Sequence, residues 1–227
     1  MKLKHEVRSR QTIDTITALL ENGIQKISVI IRHSDRFYPK EARMEPFMGL
    51  TDEGKNFALE LGRALPEQPA PKLFSSTFGR CIETAYLIDK GYTQQHKTPV
   101  SHNTTSEHLA PFYIKDIEKA IHMVEAQGSQ CFIRNWFDNN IDDTIMESPE
   151  KTSAILSQYM TDRLKQLNGN EIAVCVSHDW NIFPLKEFKL KLPHETKGDV
   201  GYLDGVIFYE DCGRYFVTSF QSDPQPV

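Results

Sequence analysis

The sequence predicts an α/β fold of three layers, α/β/α, in which helices cover both faces of a mostly parallel central sheet. Short β-branched apolar runs alternate with amphipathic helical segments along the chain, a pattern typical of open parallel sheets. The length of 227 residues, 39% of them hydrophobic, suits one domain of this class. Because the sequence has no internal repeat, low-complexity tract or long linker, we expect residues 1–227 to form a single domain.

The first predicted elements are a helix, a strand and a second helix. Residues 11–22 form a helical segment that ends at Asn22 and Gly23. Residues 26–31, with the sequence KISVII, are typical of a buried strand. After an irregular stretch, Thr51 can cap the next helix, whose first turn carries two acidic residues that the helix dipole favours.

The later elements continue the alternation and end in a hairpin. They are a strand at 72–75, a helix at 77–90, an amphipathic helix at 153–167, a strand at 171–177 and a strand pair at 203–209 and 213–220. The hairpin implies that the sheet ends with antiparallel strands. The least regular part, residues 108–150, contains two helical segments near 115–127 and 130–138, and we interpret it as a lid or insert.

Charge and composition exclude several classes of function. The net charge is −5 and no basic stripe is present, so we expect no nucleic-acid partner. No segment is apolar enough to span a membrane, and the charged N-terminal stretch has no signal-peptide core, so we expect no membrane association. The four cysteines are widely scattered, which favours reduced thiols, and hence a cytoplasmic protein, over a disulfide framework or zinc site.

Charged and polar side chains follow three of the predicted strands. They are Arg32, His33 and Arg36 after the first strand, Ser75, Ser76 and Arg80 after the second, and His178 and Asp179 after the third. Ligands of open α/β sheets bind outside the carboxyl ends of the strands, so we expect these side chains to converge. Each has an ordinary structural explanation when taken alone, but their coincidence at one edge of the sheet favours a site.

The residue types in this set suit phosphoryl transfer. Arginine guanidinium groups match phosphate oxygens bidentately and can neutralise charge in the transition state. A neutral imidazole can attack phosphorus. An alkoxide leaves poorly, so a carboxylic acid should donate a proton to it, and Asp179 beside His178 is suited to that role.

Four segments resemble the histidine phosphatase superfamily, which includes phosphoglycerate mutases and histidine acid phosphatases. Arg32-His33-Ser34-Asp35-Arg36 resembles its Arg-His-Gly box, residues 49–54 with Leu61-Gly62 its Leu-Thr-x-x-Gly helix start, residues 75–85 its Ser-x-x-x-Arg-x-x-x-Thr-Ala segment, and residues 176–182 the His-Asp box of the acid phosphatase branch. They occur in the family's order and span residues 27–182.

The resemblance implies a phosphoglycerate mutase-like fold and a metal-independent phosphatase that acts on a small phosphorylated molecule without a cofactor. It makes His33 the phosphorylated nucleophile and Asp179 the proton donor. Arg32, Arg36, Arg80 and His178 would form the phosphate pocket. The mutase branch instead takes its proton donor from a glutamate after the third strand; here residues 98–101 are a candidate for that strand, which makes Glu107 the alternative donor.

One departure from the family pattern concerns Ser34, which stands where the family usually has glycine. If that backbone needs a positive φ, serine adds strain; its hydroxyl could instead bond the phosphate. We expect residues 108–150 and the loop at 198–205 to select the substrate, with Lys197, Tyr202 and Asp204 facing either the ligand or the solvent.

Three other functions remain open at this point. The first is a phosphoglycerate-mutase-type phosphotransferase. The second is a metal-dependent phosphoesterase, although no second set of metal ligands is evident. The third is a non-catalytic pseudo-phosphatase that binds phosphorylated ligands.

Overall fold

A seven-stranded mixed sheet forms the centre of the computed structural model, which describes residues 2–100, 102–169, 171–197 and 200–227. The strands are β1 (Lys26–Arg32), β2 (Ala70–Ser75), β3 (Thr104–Thr105), β4 (Glu171–Ser177), β5 (Gly205–Asp211), β6 (Arg214–Ser219) and β7 (Ser222–Pro226). Their order across the sheet is β3-β2-β4-β1-β5-β6-β7. The first four of these are parallel, and the last three pair antiparallel, so the predicted parallel core with an antiparallel end is confirmed.

Helices cover both faces of this sheet. They are α1 (Lys2–Glu21), α2 (Asp52–Ala64), α3 (Gly79–His96), α4 (Ile117–Gln127), α5 (Ser129–Phe137), α6 (Pro149–Gln166), α7 (Asp179–Pro184) and α8 (His194–Lys197). The first three share one buried hydrophobic cluster with the sheet, and α4 to α7 share a second cluster on the opposite face. The three-layer α/β/α fold is therefore confirmed. None of the described helices is long and apolar enough to cross a membrane.

The apolar character of β1 follows from its burial on both faces. Val29 and Ile31 belong to the cluster beneath α1 to α3, whereas Ile30 belongs to the cluster beneath α6. Successive side chains of a strand point to opposite faces, so a strand covered on both sides reads as a continuous apolar run. The strand pairs in parallel with β4 on one side and antiparallel with β5 on the other.

Three elements differ from the sequence-based prediction. The first helix begins at Lys2 rather than near residue 11. The candidate strand at 98–101 is wrong for residues 98–100, which have no strand structure, while Ser101 lies outside the described residues. The third strand is instead the two-residue β3. The last strand, β7, was not predicted, because its sequence SDPQP contains two prolines, which are tolerated at a sheet edge but suppress a strand pattern.

Residues 108–150 are a packed part of the helical layer. Tyr113, Phe132 and Trp136 are buried in the cluster that α6 and the sheet share. The indole N–H of Trp136 donates to the carbonyl of Glu147 at 2.8 Å, which ties α5 to the end of the segment. The two predicted helices appear as α4 and α5, and the assignment of this segment as a lid stays a prediction.

Candidate active site

The structure brings the polar ends of β1, β2 and β4 together. These strands are neighbours in the sheet, and the backbone bonds continue past their ends: His33 N–H donates to Ser177 at 2.9 Å and Ser76 N–H to Val176 at 2.8 Å. As a result, the ring centroids of His33 and His178 lie 5.5 Å apart. The expected convergence at the carboxyl edge of the sheet is therefore observed.

The imidazole of His33 is oriented by its neighbour in sequence. Its Nδ1 lies 2.8 Å from the carbonyl oxygen of Ser34. A carbonyl can only accept a hydrogen bond, so Nδ1 carries the proton and Nε2 keeps its lone pair. Burial lowers the pKa of His33 well below its usual value, and His178, Arg80 and Arg32 lower it further. The ring is therefore neutral and presents Nε2 as a nucleophile.

His178 is fixed by two contacts that define its tautomer. The Arg80 guanidinium donates to Nδ1 at 3.2 Å, since a guanidinium cannot accept. The proton of His178 is then on Nε2, which donates to the Ser76 hydroxyl at 3.0 Å. Burial lowers the pKa of His178 well below its usual value, with added effects of Arg80, Arg32 and Arg36. This second imidazole is also neutral.

Arg32 and Asp179 form an ion pair within the site. The guanidinium lies 2.9 Å from the Asp179 carboxylate, donates to the Val200 carbonyl at 2.7 Å and stacks over the Tyr202 ring at 4.4 Å. The other oxygen of Asp179 accepts the Trp180 N–H at 2.9 Å. These contacts hold both charged side chains at the edge of the sheet.

Arg36 and Arg80 are both engaged by Glu45, which lies in a 3-10 helix, Ala42–Phe47. The Glu45 carboxylate pairs with both terminal nitrogens of Arg36, and its backbone carbonyl accepts from Arg80 at 2.8 Å. Tyr38 stacks on Arg36 at 4.1 Å and its hydroxyl lies 2.7 Å from that of Tyr202. Sequence analysis missed Glu45, because the stretch has no regular pattern to place it beside the arginines.

Ser34 takes part in packing rather than in strain. It is not among the described non-glycine residues with positive φ, so the expected strain at this position is absent. Its hydroxyl donates to the carbonyl of Gly54 at 2.7 Å, and its N–H donates to the Thr84 hydroxyl at 3.2 Å. The only hydroxyl proton is thus committed to α2, which argues against the alternative that it bonds a phosphate.

The Leu-Thr-x-x-Gly segment supports the loop that follows β1. Thr51 caps α2 through the Gly54 N–H at 2.9 Å and donates to the Asp35 carboxylate at 2.6 Å. A Cβ atom at Gly54 would lie 2.0 Å from the carbonyl oxygen of Asp35, a distance that no side chain allows. Glycine at this position therefore lets α2 approach the backbone between His33 and Arg36.

The two candidate proton donors lie near the same edge of the sheet. Asp179 begins α7 and is joined to Arg32. Glu107 begins a 3-10 turn, Glu107–Leu109, directly after Ser106, whose N–H donates to the end of β2 at Ser75. Glu107 is exposed, and its side chain makes no hydrogen bond or ion pair within the described part of the chain.

The three residues expected from the sequence to face the ligand or the solvent lie in different environments. Asp204 is buried and paired with Arg8 at 2.9 Å, so it does not face the solvent, and its contact with a ligand stays a prediction. Lys197 is exposed in α8, and Tyr202 is buried against Arg32. Residues 198 and 199 of the predicted loop lie outside the described residues. Among the residues that the structure describes, no three His, Cys, Asp or Glu side chains cluster to hold a metal ion.

Comparisons with known proteins give a family match and solved structures of the same fold. The sequence matches the histidine phosphatase superfamily (branch 1) over residues 28–185. No curated protein matches the sequence. Solved structures that share the fold at low identity include one mutase and two phosphatases. A phosphoglycerate mutase from Bacillus anthracis is 19% identical with a TM-score of 0.53, covering 85% of this chain and 91% of that one.

The other two solved structures are phosphatases. A mycobacterial glucosyl-3-phosphoglycerate phosphatase complexed with VO3 is 17% identical with a TM-score of 0.55, covering 87% of this chain and 99% of that one. A phosphoserine phosphatase from Entamoeba histolytica, complexed with phosphoserine, is 20% identical with a TM-score of 0.50, covering 86% and 95%. The family match covers well over half of the chain, and the chain belongs to the histidine phosphatase superfamily.

Proposed function

We propose that this protein is a metal-independent phosphatase that hydrolyses a small phosphomonoester through a phosphohistidine intermediate on His33. The observation that carries the proposal is the orientation of His33. The Ser34 carbonyl fixes the proton on Nδ1, so Nε2 has a lone pair in a buried site beside three arginines. A buried, neutral imidazole held in one tautomer is suited to nucleophilic attack at neutral pH.

The arginines support the binding of a phosphoryl group. The Nε–H groups of Arg32, Arg36 and Arg80 are buried and make no hydrogen bond within the described residues. A buried donor without a partner is costly, by about 1–3 kcal/mol, and a bound phosphate would supply oxygens close to it. The guanidinium groups would also neutralise the charge of the equatorial oxygens in the transition state.

The reaction would proceed in two displacements. Nε2 of His33 attacks phosphorus while the ester P–O bond breaks and the leaving oxygen takes a proton from a carboxylic acid. The proton on Nδ1 remains bonded to Ser34, which stabilises the positive charge of the phosphorylated ring. Water then attacks the phosphohistidine, the N–P bond breaks, and the carboxylate accepts the proton of the water.

Asp179 is our proposed proton donor, because it is in contact with the pocket arginine Arg32. Protonation would require it to give up that ion pair, so Glu107 remains the alternative. Glu107 has no competing ion pair among the described residues and occupies the loop after β3, where the mutase branch carries its glutamate.

The substrate is proposed to be a small phosphorylated metabolite, because the structurally similar phosphatases are a phosphoserine phosphatase and a glucosyl-3-phosphoglycerate phosphatase. The likeness to a phosphoglycerate mutase makes phosphotransfer the second candidate function. A mutase would hand the phosphoryl group back to a second hydroxyl instead of to water. The free cysteines, two of them exposed, support a cytoplasmic location.

Trapping of the intermediate tests the proposal. During turnover of an aryl phosphate in EDTA, a rapid quench should recover phosphate bound to His33 as an acid-labile, alkali-stable phosphoramidate. His33→Ala should remove both the label and the turnover, whereas His122→Ala, at an exposed surface position, should retain both. Labelling of a serine or aspartate, or activity that is lost in EDTA and restored by a divalent ion, would refute the mechanism.

A further inference from the structure

Glu45 occupies two of the three arginines that would bind phosphate. Its carboxylate pairs bidentately with Arg36, and its backbone carbonyl accepts from Arg80. A carboxylate on a guanidinium fork uses the same donors that a phosphate oxygen pair would use. A phosphoryl group that binds Arg36 bidentately must therefore displace the side chain of Glu45.

The charges of the pocket make this competition strong. Arg32, Arg36 and Arg80 contribute three positive charges, and the carboxylates of Asp179 and Glu45 oppose two of them. The two histidines are neutral because burial lowers the pKa of each. With Asp179 ionised, as it is in its ion pair with Arg32, a phosphate dianion that entered with Glu45 in place would give these groups a net negative charge. Release of the Glu45 carboxylate would remove that excess of negative charge.

The segment that carries Glu45 can move more easily than the side chain of Arg36. The Glu45 side chain is 38% exposed, whereas that of Arg36 is 8% exposed. Around Glu45, the apolar side chains of Phe37, Met44 and Phe47 are exposed instead of packed in either core cluster. Few buried contacts oppose a movement of such a segment. Arg36 therefore stays, and Glu45 is the partner that leaves.

We propose that Glu45 is an affinity-setting residue, which competes with the phosphoryl group for Arg36 and so weakens the binding of both substrate and product phosphate. The inference rests on the proposed function, because it takes Arg36 as a phosphate ligand. Its consequence for turnover is faster release of inorganic phosphate, which a pocket without the Glu45 carboxylate would retain for longer.

Calorimetric titration of the full chain with inorganic phosphate tests this role. Glu45→Gln keeps the size of the side chain but removes its charge, and it should bind phosphate about tenfold more tightly than the wild type. The matched control is Glu41→Gln, which removes the same charge from the same segment. Glu41 pairs with the exposed Arg43 and not with the pocket, so its affinity should stay within about twofold of the wild type.

Each other outcome has a distinct meaning. Unchanged or weaker phosphate binding by Glu45→Gln would overturn the inference, and weaker binding would show that Glu45 orients Arg36 for the ligand. Equal tightening by Glu41→Gln would also overturn it, since a general field effect would then suffice. Arg36→Ala separates the two proposals. If it binds phosphate as well as the wild type, the proposed phosphate pocket fails; if it binds worse while Glu45→Gln is unchanged, only the role of Glu45 fails.

Discussion

At the residue scale, each side chain that would handle the phosphoryl group is held by a neighbour. His33 is oriented by Ser34, His178 by Ser76 and Arg80, and Arg32 by Asp179. The residue types and their order in the sequence predict which side chains meet, because strands that end at one edge deliver them there. The pairing of Glu45 with Arg36 could not be predicted, because it depends on the course of an irregular stretch of the chain.

Asp179 and Glu107 are the two candidates for the proton donor. We expect Asp179→Asn to slow phosphorylation of His33 by alkyl esters by about 10²–10⁴-fold, because their leaving oxygens need a proton, and to slow aryl esters much less. Glu107→Gln should slow both kinds of ester little and equally. Rapid-quench rates for a series of esters with different leaving groups give the comparison.

The dependence on the leaving group separates catalysis from pocket damage. Asp179→Asn also removes the ion pair with Arg32, and that loss should affect all esters by a similar factor. Only the loss of a general acid gives a penalty that grows as the leaving group becomes poorer. If this trend appears in Glu107→Gln and not in Asp179→Asn, Glu107 is the donor.

At the element scale, the strands buried on both faces could be predicted and the edge strands could not. β1 and β4 are continuous apolar runs because helices cover both sides of them. β3 consists of two exposed threonines, and β7 contains two prolines, so neither carries a pattern that differs from a loop. The failure to predict β3 matters for the site, since the position of β3 determines where Glu107 lies.

The close contact between α2 and the loop after β1 depends on the absence of a Cβ atom at Gly54. Gly54→Ala places a methyl group within 2.0 Å of the carbonyl of Asp35, so α2 or the loop must shift. Although alanine favours helix, we expect a net loss of about 1–3 kcal/mol in the free energy of unfolding, as for other overpacked sites. Activity should also fall, because the loop carries His33 and Arg36.

A matched glycine nearby provides the control for this substitution. Gly49 lies in the irregular stretch just before α2, and a Cβ atom there would meet no atom within 4 Å. Gly49→Ala should therefore leave the free energy of unfolding, measured by urea denaturation, within about 0.5 kcal/mol of the wild type. Equal effects of the two substitutions would contradict the close-approach explanation.

At the scale of the whole molecule, burial of two neutral histidines links stability to pH. Burial is the main cause that lowers the pKa of His33 and of His178, and neighbouring cationic groups lower both further. In the unfolded chain each histidine takes up a proton near its usual pKa of about 6.5. Between that value and the lower pKa of the folded state, the unfolded state binds more protons, so the free energy of unfolding falls as the pH falls.

This linkage predicts a specific difference between variants. The stabilising contribution of each neutral histidine is complete above about pH 6.5, and at pH 5.5 each should have lost about 1 kcal/mol relative to pH 7.5. His33→Asn should therefore lose about 1 kcal/mol less stability than the wild type over that interval, measured by urea denaturation at both pH values. His122→Asn removes a histidine whose side chain is 82% exposed, and it should follow the wild type. A wild-type pH dependence in His33→Asn would mean that folding leaves the pKa of His33 unchanged, which would contradict burial as the cause of its neutral state.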